Sequence, residues 1–291
     1  MNAVHISVMR EEVLDGLHIE PGKKYIDATV GAGGHAVEIV KRGGIVLGID
    51  TDPTAVRIAT TELEKTGVTG WKVIQGNFRD IEQIAKKEGF ERVRGVLFDL
   101  GVSSMQLDTP ERGFSYRFTD APLDLRMNQL QGESSAQLVN RASRETLYDI
   151  FSTYGEEQLA GRLADAVCSA RSVKRIETVG DIVSILEQLV PDEHARFSVL
   201  SRIFQALRIA VNEEMDALRE GLHGARELLE PGGYLVVISF HSLEDRIVKL
   251  FMRESAWQVI TKHPEVPTPG ERISNRRSRS AKLRIAVKKS I

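Results

Sequence analysis

Apolar residues in the first hundred positions alternate between short continuous runs and stretches of helical period, the pattern of strands laid between helices. Residues 24–28 (KYIDA) read as a strand running into a glycine-rich turn, 36–42 as a helix, and 45–49 as a nearly unbroken apolar run. An unbroken run suits a parallel strand buried on both faces, so these three elements form a βαβ unit. Residues 53–66 follow as an amphipathic helix with Ala55, Ile58, Ala59 and Leu63 on one face. Residues 71–74 and 93–100 are the third and fourth strands.

The alternation then stops. Between Gln106 and Gln205 turns and helices replace strands, with helices expected near 134–152, 156–171, 178–190 and 198–211. After a helix over 212–229, Glu230-Pro231-Gly232-Gly233 breaks the chain and YLVVISF (234–240) reads as a fifth buried strand. A helix over 243–254 and strands over 257–261 and 281–288 complete the series. Leu283, Ile285 and Val287 alternate in the last as expected of an edge hairpin. The plan is α/β: a seven-stranded, Rossmann-like sheet with an inserted all-helical domain. The core is expected over 1–105 and 206–291, the insertion over 106–205.

Composition narrows the class without naming a chemistry. At 291 residues, 42% hydrophobic and 27% charged, the chain has the make-up of an ordinary globular protein. No apolar run approaches the roughly 18–20 residues that span a bilayer, so no membrane association is expected. The first twelve residues carry Arg10, Glu11 and Glu12 and no apolar centre, unlike a signal peptide. A single cysteine, Cys168, excludes an internal disulfide and fits the reducing cytoplasm. The net charge of −2 hides an asymmetry: eight of the 39 basic residues and none of the 41 acids fall in 272–291. A basic tail on an acidic body is a localised anion-binding feature or else a solvated edge strand.

Chemistry collects at the strand ends. The stretch DATVGAGGH (27–35) lies where the first strand meets its helix, and Gly31, Gly33 and Gly34 let a ligand approach backbone N–H groups closely. Asp50 ends the second strand, 19 residues after Gly31, where a carboxylate can take two ribose hydroxyls. Gly31, Gly33 and Ala36 also satisfy G-x-G-x-x-A, so a dinucleotide remains an alternative. Asp27, four residues before Gly31, and the lack of a nearby basic cluster favour a ligand with an amino-acid tail and no pyrophosphate, as in a methyl donor. Phe78 follows the third strand, placed to cover an adenine or simply to cap the core. Asp99 closes the fourth strand after the apolar VLF, and ligands of open α/β sheets bind outside such carboxyl ends.

The blocks DLGVSSMQLD, ERGFSYRF, PLDLRMN, FQALRIAVNEE, ISFHSLEDRIVK and NRRSRSAKLR occur in this order. With them the chain resembles the bacterial 16S ribosomal RNA cytosine-N4 methyltransferases, from His5 to about Arg284. The resemblance implies a class I S-adenosylmethionine methyltransferase with a helical insertion for substrate recognition. It implies cofactor contacts at Gly33, Gly34, His35, Asp50, Phe78, Asp99 and Gln106, and 16S ribosomal RNA of the small subunit as partner. Met105, Leu125, Asn128, Ser201 and Ile203 depart from the family's usual residues without removing a polar group from that set. Oligomeric state stays open, a homodimer included.

In-line transfer to cytosine N4 requires alignment and a proton acceptor, for which Asp99 or a neighbouring carbonyl is the candidate. A covalent route through C5 needs a cysteine, and Cys168 reads as a packing or surface residue of a helix. The seven histidines lack the spacing of metal ligands, so no metal is expected. Phe240 and His241, after the fifth strand, are candidates to stack on and read a flipped base, ahead of Phe114, Tyr116 and Phe118. Ser242 is the expected cap of the helix that follows. Arg112, Arg126, Arg208 and the cluster Arg276, Arg277 and Arg279 are candidate phosphate contacts, with an ordinary salt bridge the alternative for each. The rival readings are a methyltransferase of another nucleic acid, a nicotinamide-dependent oxidoreductase and a non-enzymatic RNA-binding factor.

Overall fold

The computed structural model describes residues 7–290. His5, where the resemblance begins, and half of the N-terminal stretch read as unlike a signal peptide lie outside the described residues. The chain divides into two compact units, Met1–Gly101 with Met215–Ile291, and Val102–Glu214.

The first unit has α1 (Arg10–Leu17), a helix not expected from the apolar periodicity, then β1 (Lys24–Asp27), α2 (Gly34–Lys41) and β2 (Ile45–Asp50). It continues with α3 (Pro53–Glu64), β3 (Trp71–Gln75), α4 (Ile81–Lys87) and β4 (Val93–Asp99). Asp52 starts α3 by accepting from Thr54 N at 2.9 Å, with Pro53 in the first turn. The second unit holds α5 (Ser104–Asp108), α6 (Ser135–Arg141), α7 (Arg144–Thr153), α8 (Ala160–Val173), α9 (Val179–Leu189) and α10 (Glu193–Asn212). The chain then supplies α11 (Glu214–Leu228), β5 (Leu229–Ser239), α12 (Ser242–Phe251), β6 (Trp257–Val259), α13 (Pro269–Ser274) and β7 (Lys282–Lys288).

The seven strands form one sheet in the order β3-β2-β1-β4-β5-β7-β6. Pairing is parallel from β3 to β5, and β7 runs antiparallel to both β5 and β6. Alternate residues send their side chains to opposite faces. Ile26, Val96, Phe98, Leu235 and Val237 pack with α4, α11 and α12 on one side, while Tyr25, Leu97, Val236 and Ile238 meet α1, α2 and α3 on the other. Each such fully buried large side chain contributes roughly 1.5–3 kcal/mol, so the sheet is held from both faces. The Rossmann-like α/β fold expected from the strand and helix periodicities is the fold observed.

Two expectations need correction. The last two strands do form an antiparallel pair at the end of the sheet, but β6 takes the outer place and β7 does not alternate, since Arg284 is buried along with Leu283, Ile285 and Ala286. Arg284 is held there by Asp245 of α12 at 2.6 and 3.3 Å. The Glu230–Gly233 break does not end a helix before a new strand. It is an irregularity inside β5, whose pairing jumps from Val93↔Leu229 to Gly95↔Tyr234.

The second unit is helical, with its own core of Leu147, Phe151, Leu163, Val179, Leu186 and Leu207. Its helices start where polar caps stand: Ser134, Ser143, Thr178 and Asp192 each accept from the backbone N–H three residues on. Ser143 therefore splits the helix expected over 134–152 into α6 and α7. A boundary after Gln205 would cut through α10; the division falls instead at Glu214/Met215, and at the other end after Gly101. Helix α10 belongs wholly to the second unit because Leu200, Ile203, Phe204 and Leu207 all pack in its core.

Candidate active site at the strand ends

The parallel register brings the carboxyl ends of β1, β2 and β4 side by side: Asp27 pairs with Gly48 and Leu97 along adjacent strands. The turn after β1 is built from left-handed backbone at Gly31 (φ 53°) and Gly33 (φ 86°), which L side chains rarely adopt. A Cβ on Gly33 would also stand 3.1 Å from Ala59 Cα of α3. Alanine there would be strained in its backbone and tight against α3. The turn is tied to β2, since Gly31 N donates to Asp50 Oδ2 and Asp52 N to Asp50 Oδ1, each at 2.9 Å.

Helix α2 begins at Gly34, two residues earlier than its apolar periodicity indicates, which puts His35 in the first turn and buries it. Its Nε2 lies 3.6 Å from Asp99 Oδ2, an ion-pair separation too long for a good hydrogen bond. Neither ring nitrogen has a hydrogen-bond partner, nor does Asp99 Oδ1. Asp99 itself is held by its backbone N–H, which donates to Thr29 Oγ1 at 2.6 Å. Burial pushes the Asp27 carboxyl up to about 7; His35 and the Thr29 N–H pull it back down, while Asp99 and Asp50 add to the rise. Burial also opposes a charge on His35, yet Asp99 and Asp27 outweigh it and the imidazole holds its proton more tightly than usual.

Phe78 opens a short 3-10 turn capped by Asn77, whose Oδ1 accepts from Arg79 N at 3.0 Å. Its ring meets Phe98 edge-on at 5.6 Å, so it caps the core, and it stays partly exposed beyond β3. Gly33, Gly34, His35, Asp50, Phe78 and Asp99 are thus all gathered in the first unit. Gln106 belongs to the second unit, where its Oε1 accepts from Ser103 N at 2.9 Å in a capping box that starts α5.

Orphaned buried polar atoms on His35 and Asp99, beside a glycine turn that admits no side chain, are the features of a binding site for a polar ligand. A family model describing MraW methylases matches residues 2–289 of this chain. The chain belongs to the MraW methylase family. It is 46% identical over 284 residues to the ribosomal RNA small subunit methyltransferase H of Deinococcus deserti, covering 97% of this chain and 93% of that one. The protein of the same name from Deinococcus radiodurans is 44% identical over 282 residues, covering 97% and 88%. A Clostridium thermocellum crystal structure assigned as an rRNA methylase shares the fold with TM-score 0.50 at 13% identity, covering 98% of this chain and 100% of that one.

In this methylase the expected phosphate contacts divide into two kinds. Arg112 is buried and donates to the carbonyls of Arg126 and Met127 at 3.0 and 2.8 Å. Arg126 grips Asp124 through two bonds of 2.8 and 2.9 Å, and Arg208 grips Glu214 in the same way. With Asn212, which bonds Leu125 O and Met127 N, they clamp the PLDLRMN loop, where Leu125 takes a left-handed φ of 62°. Arg126 and Arg208 take the salt-bridge alternative and Arg112 ties backbone carbonyls, so their motifs mark a clamped loop.

Arg276 and Arg279 are exposed and Arg277 half-buried, on a 3-10 turn over Arg276–Ser280. The rest of the basic tail is more committed: Lys288 Nζ donates to the carbonyls of Arg226 and Leu229, and Arg284 is paired with Asp245. Phe240 is half-buried after β5, beside Gly101. The cap of α12 is His241 rather than Ser242: its Nδ1 accepts from Glu244 N at 3.4 Å and its Nε2 stands 3.1 Å from Glu244 Oε1. Both ring nitrogens face Glu244, which leaves Phe240 the better base-stacking candidate of the two. Among the described residues no helix is long and apolar enough to cross a membrane.

Proposed function

We propose that this methylase transfers the methyl group of S-adenosylmethionine to the exocyclic N4 of a cytosine in 16S ribosomal RNA, as part of making the small ribosomal subunit in the cytoplasm. The observation that carries the reading is Asp99 at the end of β4, its backbone N–H tied to Thr29 and its carboxylate set against His35, beside the glycine turn and Asp50. The names of the Deinococcus relatives supply the ribosomal RNA and its subunit.

The residues present fit the methyl donor. The Gly31–Gly33 turn keeps side chains away from the end of β1, Asp50 suits ribose hydroxyls, and Phe78 offers an aromatic edge at the end of β3. Gly33, Gly34, His35, Asp50, Phe78 and Asp99, all of the first unit, are the residues we assign to holding it. Bound there, the donor supplies a methyl group already activated on a sulfonium.

Cytosine N4 is a poor nucleophile because its lone pair is delocalised into the ring. The chain's work is to hold N4 in line with the methyl group and to take the proton that N4 sheds as the new N–C bond forms. Asp99 is the acceptor. Cys168 is half-buried on α8 against the core of the second unit, a packing position, so the transfer is direct and forms no enzyme–base bond. The helical unit is the substrate-recognition element, Phe240 the stacking partner of the flipped base, and the exposed arginines of 276–279 the phosphate contacts.

The test is mass mapping of methylated nucleotides in small-subunit RNA from a deletion strain, with complementation by the natural and Asp99→Asn genes. The expected result is loss of one N4-methylcytosine, restored by the natural gene alone. Methylation lost from a different nucleotide class would assign another nucleic-acid target. At saturating S-adenosylmethionine, Asp99→Asn protein should transfer about 10²–10⁴-fold more slowly, the range for removing a general base. Full turnover by that variant would remove Asp99 from the role.

A further inference from the structure

Helix α13 and the turn over Arg276–Ser280 lie at the same end of the sheet as the candidate site. Strand β7 runs antiparallel to β5 with Lys282 opposite Ser239, so the residues just before Lys282 stand at the carboxyl end of β5, where Phe240 follows. Helix α13 is also tied to the glycine turn's side of the site. Glu271 Oε1 accepts from Met9 N at 2.9 Å, and Ser7, two residues away, stands directly against Gly34 at the start of α2. Arg279 Nε donates to Arg272 O at 3.0 Å, which joins the helix to the turn that follows it. The segment is thus held at the rim of the site.

Its most prominent side chain is apolar: Ile273 is 79% exposed. A single exposed apolar residue is ordinary on a protein surface. This one stands in a basic frame, with five basic residues and one acid between 269 and 282. Arg272 and Arg276 are both exposed and make no ion pair among the described residues. Arg126, Arg208 and Arg284, by contrast, each meet a carboxylate. The one acid, Glu271, is committed to Met9 N. Unneutralised cations around an apolar tip fit a polyanion that also offers flat apolar faces, which is the make-up of RNA.

We propose that Ile273 is a wedge that enters the base stack beside the target cytosine, while Arg272 and Arg276 grip the flanking phosphates. This rests on the methyl-transfer reading above. A stacked cytosine cannot bring N4 to a donor held at the strand ends, so the base leaves its stack at the cost of its stacking contacts. An apolar side chain inserted between the neighbouring bases replaces part of what is lost, as it does in proteins that kink nucleic acids. Phe240 receives the base and Ile273 fills the place it vacates. The arginines then set how tightly RNA is held, and Ile273 sets the fraction of bound RNA whose cytosine is flipped.

Transfer to small subunits from the deletion strain, at saturating S-adenosylmethionine, separates these effects. Ile273→Ala should lower kcat about 10–100-fold, the worth of burying such a side chain, with KM for the subunits unchanged. The salt slope of RNA binding should not move, because no charge is lost. Ile273→Leu should keep most of the rate, and Leu250→Ala, a control 60% exposed on α12, all of it. An unchanged kcat in Ile273→Ala, or a rise in KM alone, overturns the wedge.

A second measurement does not depend on turnover. A benzophenone side chain placed at position 273 and photo-activated on the same subunits, with S-adenosylhomocysteine present, should cross-link to a nucleotide adjoining the methylated cytosine, as mapped by primer extension. Cross-links to protein alone, or to RNA remote from that cytosine, overturn the proposal. Cross-linking beside a methylated nucleotide that is not a cytosine would sink the functional reading and leave the wedge standing.

Discussion

The N–H of Gly31 donates to Asp50 Oδ2 at 2.9 Å, so the glycine turn and the end of β2 are fastened to each other by the same carboxylate that we assign to the ribose. Asp50 serves structure and binding together.

Asp50→Ala should therefore do two things. Losing an acceptor for the Gly31 and Asp52 N–H groups costs stability of about 1–3 kcal/mol, and affinity for S-adenosylhomocysteine falls by at least about tenfold. Asp50→Asn keeps one acceptor oxygen and should cost less of both. Urea unfolding and calorimetry read the two effects separately. Unaltered ligand affinity in Asp50→Ala would exclude the ribose assignment.

The Asp27 carboxyl makes the sheet sensitive to pH. Its folded value, about 7, lies above the ordinary 3.8, so its stabilising contribution is whole below about pH 4 and is lost as pH rises through 7. His35 shifts the same way: its raised value means a contribution present below 6.5 and lost as pH rises through the folded value. Asp27→Asn removes the first ionisation. Relative to this variant the natural protein should lose a few kcal/mol of stability, at most about 4, between pH 4 and 8. Urea denaturation across that range checks it, and parallel profiles for the two proteins would refute it.

The arginines should separate by experiment as they do in the structure. Replacing Arg276, Arg277 and Arg279 together with glutamine should reduce the salt slope of RNA binding by about 2, as expected for three lost phosphate contacts to a single strand. Arg112→Ala and Arg126→Ala should leave that slope alone and destabilise the helical unit by about 2 kcal/mol, because each strands buried acceptors or a carboxylate. Filter binding at several salt concentrations, with thermal unfolding, distinguishes the groups. A flattened slope for Arg112→Ala would return it to the phosphate contacts.

Arg284 and Asp245 join β7 to α12 from side chains 8% and 14% exposed. Asp245→Ala leaves a buried guanidinium uncompensated and should cost about 3–5 kcal/mol. Replacing the pair by leucine and methionine should recover most of it. Arg284 and Lys282 hold the Asp245 carboxyl below its ordinary value against the upward push of burial, so its contribution is present above about pH 4 and disappears as pH falls through the depressed value. Denaturation of single and double variants at pH 7 and pH 3 tests both statements.

Periodicity alone was enough for the seven strands and most of the helices, because a strand buried on two faces and a helix buried on one leave different apolar rhythms. The polar residues closing those strands, Asp50 and Asp99, were legible for the same reason, each following an unbroken apolar run. Helix α1 carries a usable signal in Val13, Leu14 and Leu17, but it is too short to stand out from its surroundings. The sequence could not decide what each charge faces. Arg112, Arg126 and Arg208 look like any surface arginine until Met127, Asp124 and Glu214 are brought to them, and Arg284 likewise until α12 sets Asp245 against it. His35 and Asp99 are 64 positions apart, so only the closing of β1 against β4 makes an ion pair of them. Local pattern determines where chains extend and coil, whereas a charge acquires its role from the low-dielectric company that packing provides.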